Sequence, residues 1–136
     1  MIISTRGRYA LRMMVDLAER YEESFISLKD IAQRQQISKK YLEQIIPVLN
    51  DAGLLIASRG AQGGYRLAKP PKDYKVIDIL RATEGDIAPV SCIFGDDNTC
   101  PRKINCPTLP LWQGLKGVIN EYLSSVTLLD LAEKTV

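Results

Sequence analysis

The spacing of apolar residues predicts a first helix over residues 5–20, with Ser4 or Thr5 capping its start. Its apolar side chains recur at helical spacing and form one broad stripe, made up of Tyr9, Leu11, Met13, Met14, Leu17 and Ala18. Four arginines lie outside this stripe, namely Arg6, Arg8, Arg12 and Arg20. They are available to solvent, as on an ordinary charged helix face, or to phosphate groups.

Two more helices follow, separated by a short turn. Ser27 caps the helix in SLKDIAQRQQ, and Ser38 caps the next one, which ends at Gly53. This pattern is that of a helix-turn-helix, whose second helix enters the DNA major groove with its N-terminal residues toward the bases. The residues placed for that role are Lys39, Lys40, Tyr41, Glu43 and Gln44. The core-facing residues of the same helix are Leu42, Ile45, Ile46 and Leu49.

Pro47 lies inside this second helix, where a proline removes the hydrogen bond to the carbonyl of Glu43. We therefore expect a bend at Pro47, or a helix divided into two parts. The base-reading first turn precedes the proline along the chain and can form regardless of it.

A β-hairpin is predicted next, with apolar runs at Leu54–Ile56 and Tyr65–Leu67. The loop between them contains Gly60, Gly63 and Gly64, which we expect to permit positive φ angles. Such a hairpin beside a helix-turn-helix is a wing. Arg59 at its tip can enter a narrow minor groove, although a solvated loop arginine is the simpler alternative.

Beyond Pro70 the pattern predicts a short helix over 76–85, then a loop over 86–108 without periodicity, then a long amphipathic helix over 109–126. The stripe of that last helix comprises Leu111, Leu115, Val118, Ile119, Tyr122, Leu123 and Val126. It has little core to cover within one chain, so we expect it to pair with a second copy, and the final LLDLAEK to fold back onto the pair.

The predicted fold class is therefore mainly α with a small β-hairpin wing. The predicted domains are a winged helix-turn-helix DNA-binding domain over 1–75 and, over 76–136, an effector loop (86–108) with a dimerisation helix (109–126). A homodimer would supply two DNA-reading heads for a palindromic operator.

Charge is divided unevenly along the 136 residues. The net charge is only +2, but residues 1–75 hold 13 Lys/Arg against 8 Asp/Glu, while residues 76–136 hold 5 against 8. The positive half contains the helix-turn-helix, as suits a phosphate backbone. No run approaches the roughly 20 apolar residues of a membrane helix, and the N-terminus lacks a signal core, so we expect a cytoplasmic protein.

Three cysteines, Cys92, Cys100 and Cys106, lie within the loop over 86–108, and the sequence has no histidine. An odd number of cysteines in a cytoplasmic protein indicates metal or redox chemistry rather than a disulfide framework. An enzyme is disfavoured, since there is no Cys-x-x-Cys and no histidine to act as a base. A winged helix used only for protein contacts is the remaining alternative, and it predicts no salt-dependent DNA affinity.

Several motifs in the right order carry a resemblance that covers essentially the whole chain. The segments STRGRYALRMMVDLA, LKDIAQRQQIS, KYLEQ, RGAQGGYRLAK and the terminal LLDL resemble the Rrf-two family of bacterial winged-helix transcription regulators, which includes the iron–sulfur cluster regulators. The resemblance implies a homodimer that binds operator DNA, expected here to be a repressor, and that senses iron–sulfur status, nitric oxide, redox state or cysteine supply.

The resemblance also assigns residues. Lys40, Tyr41, Glu43 and Gln44 match DNA-reading positions, Arg59 the wing arginine, and Gly63 and Gly64 the wing turn. Glu43 would accept a hydrogen bond from a cytosine amino group. Cys92, Cys100 and Cys106 match a loop that binds a two-iron or four-iron cluster through thiolates.

The match to the cluster-binding loop is incomplete. A histidine ligand of some relatives is replaced by Leu109, an aspartate ligand of others by Arg8, and seven residues rather than five separate Cys92 from Cys100. A fourth ligand would have to come from Glu84, Asp86, Asp96 or Asp97, from a small molecule, or be missing. Zinc and a metal-free thiol switch stay open as alternatives.

Overall fold

A computed structural model describes residues 3–136. Its α-helices are α1 (Thr5–Glu19), α2 (Leu28–Gln35), α3 (Lys39–Asp51), α4 (Val76–Glu84), α5 (Leu109–Ser125) and α6 (Leu128–Ala132). Its strands are β1 (Leu55–Ser58) and β2 (Gly64–Leu67), and short 3₁₀ turns occupy Pro71–Asp73 and Ser91–Ile93. The mainly helical fold with a two-stranded wing is the one that the sequence predicts.

Serine caps begin the first three helices, as predicted. The hydroxyl of Ser4 accepts from the N–H of Gly7 at 3.0 Å, that of Ser27 from Asp30 at 3.1 Å, and that of Ser38 from Tyr41 at 3.1 Å. Each bond satisfies one of the backbone donors that an α-helix leaves free in its first turn.

The division of α3 expected at Pro47 does not occur, because one helix runs from Lys39 to Asp51. Pro47 is exposed, while Ile45, Ile46 and Leu49 on the other side of the helix are buried. Packing of this apolar side holds the helix together across the position where the proline removes a hydrogen bond.

The wing pairs Leu55 with Leu67 and Ser58 with Gly64 in antiparallel register. Its strands extend further toward the loop than the predicted apolar runs. A third segment joins the pair: Ile26 and Tyr65 exchange backbone hydrogen bonds of 2.9 and 2.8 Å. The wing is therefore attached directly to the connection between α1 and α2.

One buried core joins all the α-helices except α5. Met13, Met14 and Leu17 of α1 are buried against α2, α3 and α4. Leu128 of α6 belongs to the same core, with none of its surface exposed. The helix α6 therefore folds back onto α1 of its own chain, and the expectation that LLDLAEK covers a helix pair stays a prediction.

Backbone hydrogen bonds join the start of α4 to the segment between α5 and α6. Val76 donates to Val126 at 2.9 Å, and Leu128 donates to Tyr74 at 3.0 Å. Both α4 and α6 thus contact residues 1–75, α4 through α1 and α3 and α6 through α1, and a domain boundary after residue 75 stays a prediction. Within residues 3–136, no helix is both long and apolar enough to cross a membrane.

Candidate DNA-binding surface and cysteine loop

The first turn of α3 presents polar side chains to solvent. Lys39, Lys40, Glu43 and Gln44 are all exposed, and Leu42 between them is fully buried. This alternation follows from the helical period, because the buried side of α3 is set by its apolar residues. The outward side carries donors and acceptors that can reach base edges or phosphates.

Tyr41, the fifth predicted residue of this turn, is half-buried. Its ring lies edge-on to the ring of Tyr9 in α1, with centroids 5.3 Å apart and planes at 75°. The Tyr9 ring in turn lies beneath the guanidinium of Arg12, 5.2 Å from ring centroid to Cζ. Tyr41 is thus held by α1, which limits how far its hydroxyl can move.

The wing places Arg59 in an exposed loop between β1 and β2. Of the three glycines expected to need a positive φ, only Gly60 has one, at 104°. Gly63 and Gly64 are glycines for another reason, since a Cβ would lie 2.3 Å from the Ser58 carbonyl oxygen at Gly63 and 2.1 Å from that of Ile26 at Gly64. Both positions require close backbone approach.

A buried carboxylate behind the helix-turn-helix was not anticipated from the sequence. Asp16 has none of its surface exposed, yet it accepts two hydrogen bonds from the Arg34 guanidinium, at 3.0 and 2.8 Å. These bonds raise the pKa of Arg34 above its usual value. The available signal was an acidic residue inside the apolar run MMVDLA, where a lone charge needs a partner.

The cysteine loop, residues 86–108, has an anchored half and a free half. In the first half, Lys116 of α5 contacts the Asp86 carboxylate at 2.5 Å and the Ile93 carbonyl at 2.8 Å, and Gly95 donates to Asp86 at 2.7 Å. The hydrogen bond from Lys116 is the main reason why the pKa of Asp86 is lowered. Cys92 lies within this anchored half.

Cys100 and Cys106 lie in the second half, where most residues from 96 to 108 are exposed but the two cysteines are partly buried. All three cysteines are free thiols, and no group of three or more Cys, Asp or Glu residues in the described chain could hold a metal ion. The Sγ of Cys106 lies 3.3 Å from the Thr108 hydroxyl, a contact that lowers the pKa of this thiol. The predicted metal ligands are thus in one loop but do not form one ligand group.

Two of the four predicted oxygen ligands have other partners. Glu84 accepts hydrogen bonds from the hydroxyl and the N–H of Ser4, and Asp86 is paired with Lys116. Asp96 and Asp97 are exposed in the free half of the loop. Glu84 instead joins the end of α4 to the start of α1, directly before the cysteine loop.

The model of the Rrf2 family, described as iron-dependent transcriptional regulators, matches residues 3–134. The chain belongs to the Rrf2 family. The protein rrf2 of Nitratidesulfovibrio vulgaris is 43% identical over 131 residues, which cover 96% of this chain and 87% of that protein. The transcriptional regulator CymR of Bacillus subtilis is 42% identical over 135 residues, covering 99% of this chain and 92% of CymR.

Solved structures of Rrf2-family members show the same fold. The structure of CymR, the global cysteine regulator of B. subtilis, matches with a TM-score of 0.81 and 41% identity, over 100% of this chain and 99% of that one. The structure of T. potens IscR matches with a TM-score of 0.79 and 40% identity, over 100% of this chain and 89% of that one. The chain is therefore a DNA-binding transcription regulator, and these relatives are regulators rather than enzymes.

Proposed function

We propose that this Rrf2-family regulator is a homodimeric repressor whose affinity for operator DNA depends on the state of its cysteine loop. The observation that carries the DNA-reading part is the exposed polar first turn of α3 beside an exposed wing arginine. Lys39, Lys40 and Tyr41 would contact phosphates or base edges, with Glu43 on a cytosine amino group and Gln44 on an adenine. Arg59 would enter the adjacent minor groove.

The wing glycines support this role indirectly. Because Gly63 and Gly64 bring the wing backbone close to Ser58 and Ile26, the loop bearing Arg59 has a defined position relative to the α1–α2 connection. A fixed wing lets the guanidinium enter the groove without first losing much conformational freedom.

The helix α5 supports a homodimer. None of its residues is buried within one chain, and Leu111 and Val118 are 62% and 64% exposed. Beside it lies an apolar groove of about 370 Å³, lined by residues of α1, α4, α5 and α6, including Leu11, Leu80 and Leu131. The same helix of a second copy has an apolar stripe that would fit this surface.

For the cysteine loop, the first candidate state is an iron–sulfur cluster bound by Cys92, Cys100 and Cys106. Thiolates are the ligands such clusters use, and the loop holds three of them. The described arrangement does not fit a cluster as it stands, because the thiols do not form one group and the chain has no histidine. Binding would require the free half of the loop to approach Cys92.

A metal-free thiol switch is the second candidate, and the same observation favours it. The three thiols are free and partly exposed, and they do not form one ligand group. A disulfide between two of them has specific geometric requirements and would therefore change the conformation of the loop. Since the loop leads directly into α5, such a change would alter the spacing of the two DNA-reading heads. The similarity to CymR, the global cysteine regulator of B. subtilis, is compatible with this reading.

The test compares the wild type with a triple Cys→Ala variant at Cys92, Cys100 and Cys106. A DNA duplex selected by the wild type from a random pool serves as the operator. Each protein is purified without oxygen, and its affinity for this duplex is measured before and after exposure to iron with sulfide, or to an oxidant. We expect only the wild type to respond. The control is the double variant Ser91→Ala with Thr99→Ala, beside two of the cysteines, which should respond normally.

The state of the loop is identified in the same preparation. Iron and acid-labile sulfide with visible absorbance, lost in the triple variant, would support the cluster. A colourless protein whose thiol count falls on oxidation would support the switch. An unchanged response of the triple variant would refute any role of the loop, and salt-independent affinity for DNA would refute the DNA-reading role itself.

A further inference from the structure

Three polar residues of α1 form a row on its side toward the helix-turn-helix. Tyr9, Arg12 and Asp16 are spaced i, i+3 and i+7, so they lie on one side of the helix. We call them the polar row of α1. Asp16 and Arg12 contact the end of α2, and Tyr9 contacts the first turn of α3.

Asp16 fixes the end of α2. Its carboxylate receives the two hydrogen bonds from Arg34 and a third, of 3.0 Å, from the side-chain amide of Gln35. Arg20, the residue directly after α1, donates to the Asp16 backbone carbonyl at 3.3 Å. A fully buried carboxylate held by this many donors has little freedom to move, and neither do its partners.

Arg12 holds the last residue of α2, Gln35. Its Nη2 donates to the backbone carbonyl of Gln35, and its Nε lies 3.4 Å from the side-chain oxygen of the same residue. Gln35 is the last residue of α2, and Gln36 after it turns the chain with a left-handed φ of 54°. Arg12 therefore satisfies a carbonyl that the helix end leaves free, at the point where the turn begins.

Tyr9 reaches the other side of the turn. Its ring lies against Tyr41 in the first turn of α3 and beneath the Arg12 guanidinium. The row thus connects the last residue of α2 to the first turn of the DNA-reading helix, across Gln36, Ile37 and Ser38. These contacts help to set the angle between α2 and α3.

We propose that Arg12 and Gln35 are positioning residues for DNA recognition. They do not read DNA; they hold the turn so that the first turn of α3 meets the bases in register. An arginine near a DNA-binding helix would ordinarily be assigned to a phosphate. The geometry disfavours that assignment, since its Nε and Nη2 face Gln35 and its guanidinium covers the Tyr9 ring.

The inference rests on the proposed use of α3 to read DNA, and the two roles of Arg12 have different salt behaviour. A phosphate contact adds to operator and random-sequence affinity alike, and its loss makes the slope of log affinity against log salt shallower by about 0.9. Loss of a positioning contact leaves the slope unchanged and lowers operator affinity more than random-sequence affinity, because only base reading needs exact register.

The experiment measures Arg12→Met and Gln35→Met in the full-length protein. Affinities for the selected duplex and for the unselected random pool are determined across a salt series. We expect each variant to lose about tenfold of the operator-to-random ratio, the discrimination given by roughly one bidentate base contact. We expect unchanged salt slopes and unchanged far-UV circular dichroism.

Gln35→Met keeps the net charge, so a change in its ratio cannot arise from a lost phosphate contact. Arg12→Lys is the matched control for charge, and we expect it to restore only part of the ratio because one ammonium cannot hold both Gln35 oxygens and stack on Tyr9. The proposal is overturned if Arg12→Met keeps the ratio while its slope becomes shallower, or if Gln35→Met keeps the wild-type ratio. A wild type that enriches no duplex from the random pool would instead refute the proposed function.

Discussion

Gly64 shows how a missing side chain determines where the wing lies. The wing and the α1–α2 connection meet through the backbones of Tyr65 and Ile26, and a Cβ on Gly64 would lie 2.1 Å from the Ile26 carbonyl oxygen. That distance is well inside van der Waals contact, and the obstructing atom is backbone, so it cannot move aside cheaply. Only glycine permits this approach.

We therefore predict that Gly64→Ala lowers the free energy of unfolding by roughly 2 kcal/mol, the usual cost of forcing extra volume into a packed site. Urea denaturation followed by circular dichroism measures it. Gly117→Ala is the control: it lies in α5 with nothing within 4 Å of an added Cβ, and it should raise stability by up to about 1 kcal/mol. A Gly64→Ala protein as stable as the wild type would contradict the close approach.

The cysteine loop shows at the level of elements how a segment without regular structure can be partly fixed. In its first half, Lys116 of α5 contacts the Asp86 carboxylate and the Ile93 carbonyl. Asn120 of α5 donates to the Ile87 carbonyl. The second half is mostly exposed to solvent. Any change at Cys100 or Cys106 would therefore move the loop relative to an anchored Cys92.

This anchor should depend on pH. Because the pKa of Asp86 is lowered, chiefly by its hydrogen bond from Lys116, the contact stabilises the loop above the usual aspartate pKa of about 3.9 and is lost as pH falls through the lowered value. Titration of the Gly95 amide resonance by NMR should give a midpoint below the usual value. In Lys116→Met the midpoint should move up, and identical midpoints in both proteins would exclude the anchor.

The elements predicted well from the sequence are those whose signals are local. Ser38 caps α3 and Gly53 follows its end, and both signals lie within a few residues of the helix. The failures involve partners far along the chain. Gly64 is explained by Ile26 and the buried Asp16 by Arg34, and neither partner lies in the local pattern. The division expected at Pro47 fails for a different reason, because Ile45, Ile46 and Leu49 are buried on the other side of α3.

The same distinction applies to the candidate site. The polar side of α3 could be predicted, because the helical period separates Lys40, Glu43 and Gln44 from buried Leu42. The engagement of Glu84 with Ser4 could not, since eighty residues separate them. Assembly of Cys92, Cys100 and Cys106 into one ligand group depends on loop conformation, for which spacing alone is a weak guide.

At the scale of the whole molecule, the apolar residues of the core are buried, whereas many apolar residues of the long helix α5 are exposed. The core contains residues of α1, α2, α3, α4 and α6. In contrast, α5 leaves Leu115, Val118 and Tyr122 exposed. Apolar area of this kind on one helix is characteristic of a surface that a partner covers. The proposed dimer would cover it with the same helix of a second chain.

We predict that Val118→Glu gives a monomer, because a carboxylate at the centre of this apolar stripe would be buried without a partner in a dimer. Sedimentation equilibrium measures the mass. Affinity for the selected duplex should fall by about a hundredfold or more, as the two linked heads bind separately.

Gln113→Glu is the matched control, since it adds the same charge at an exposed position of α5 outside the stripe. It should stay dimeric and bind the duplex like the wild type. A dimeric Val118→Glu protein would show that α5 does not form the interface.

The exposed stripe of α5 has a consequence for the amount of regulator in a cell. If the proposed dimer forms, a copy without a partner carries an uncovered apolar face, the feature by which chaperones and proteases select their clients. Newly made chains would then survive in proportion to how quickly they meet one another. Promoter control by this protein would follow a threshold in synthesis rate, with scarce copies cleared and abundant copies protected by pairing.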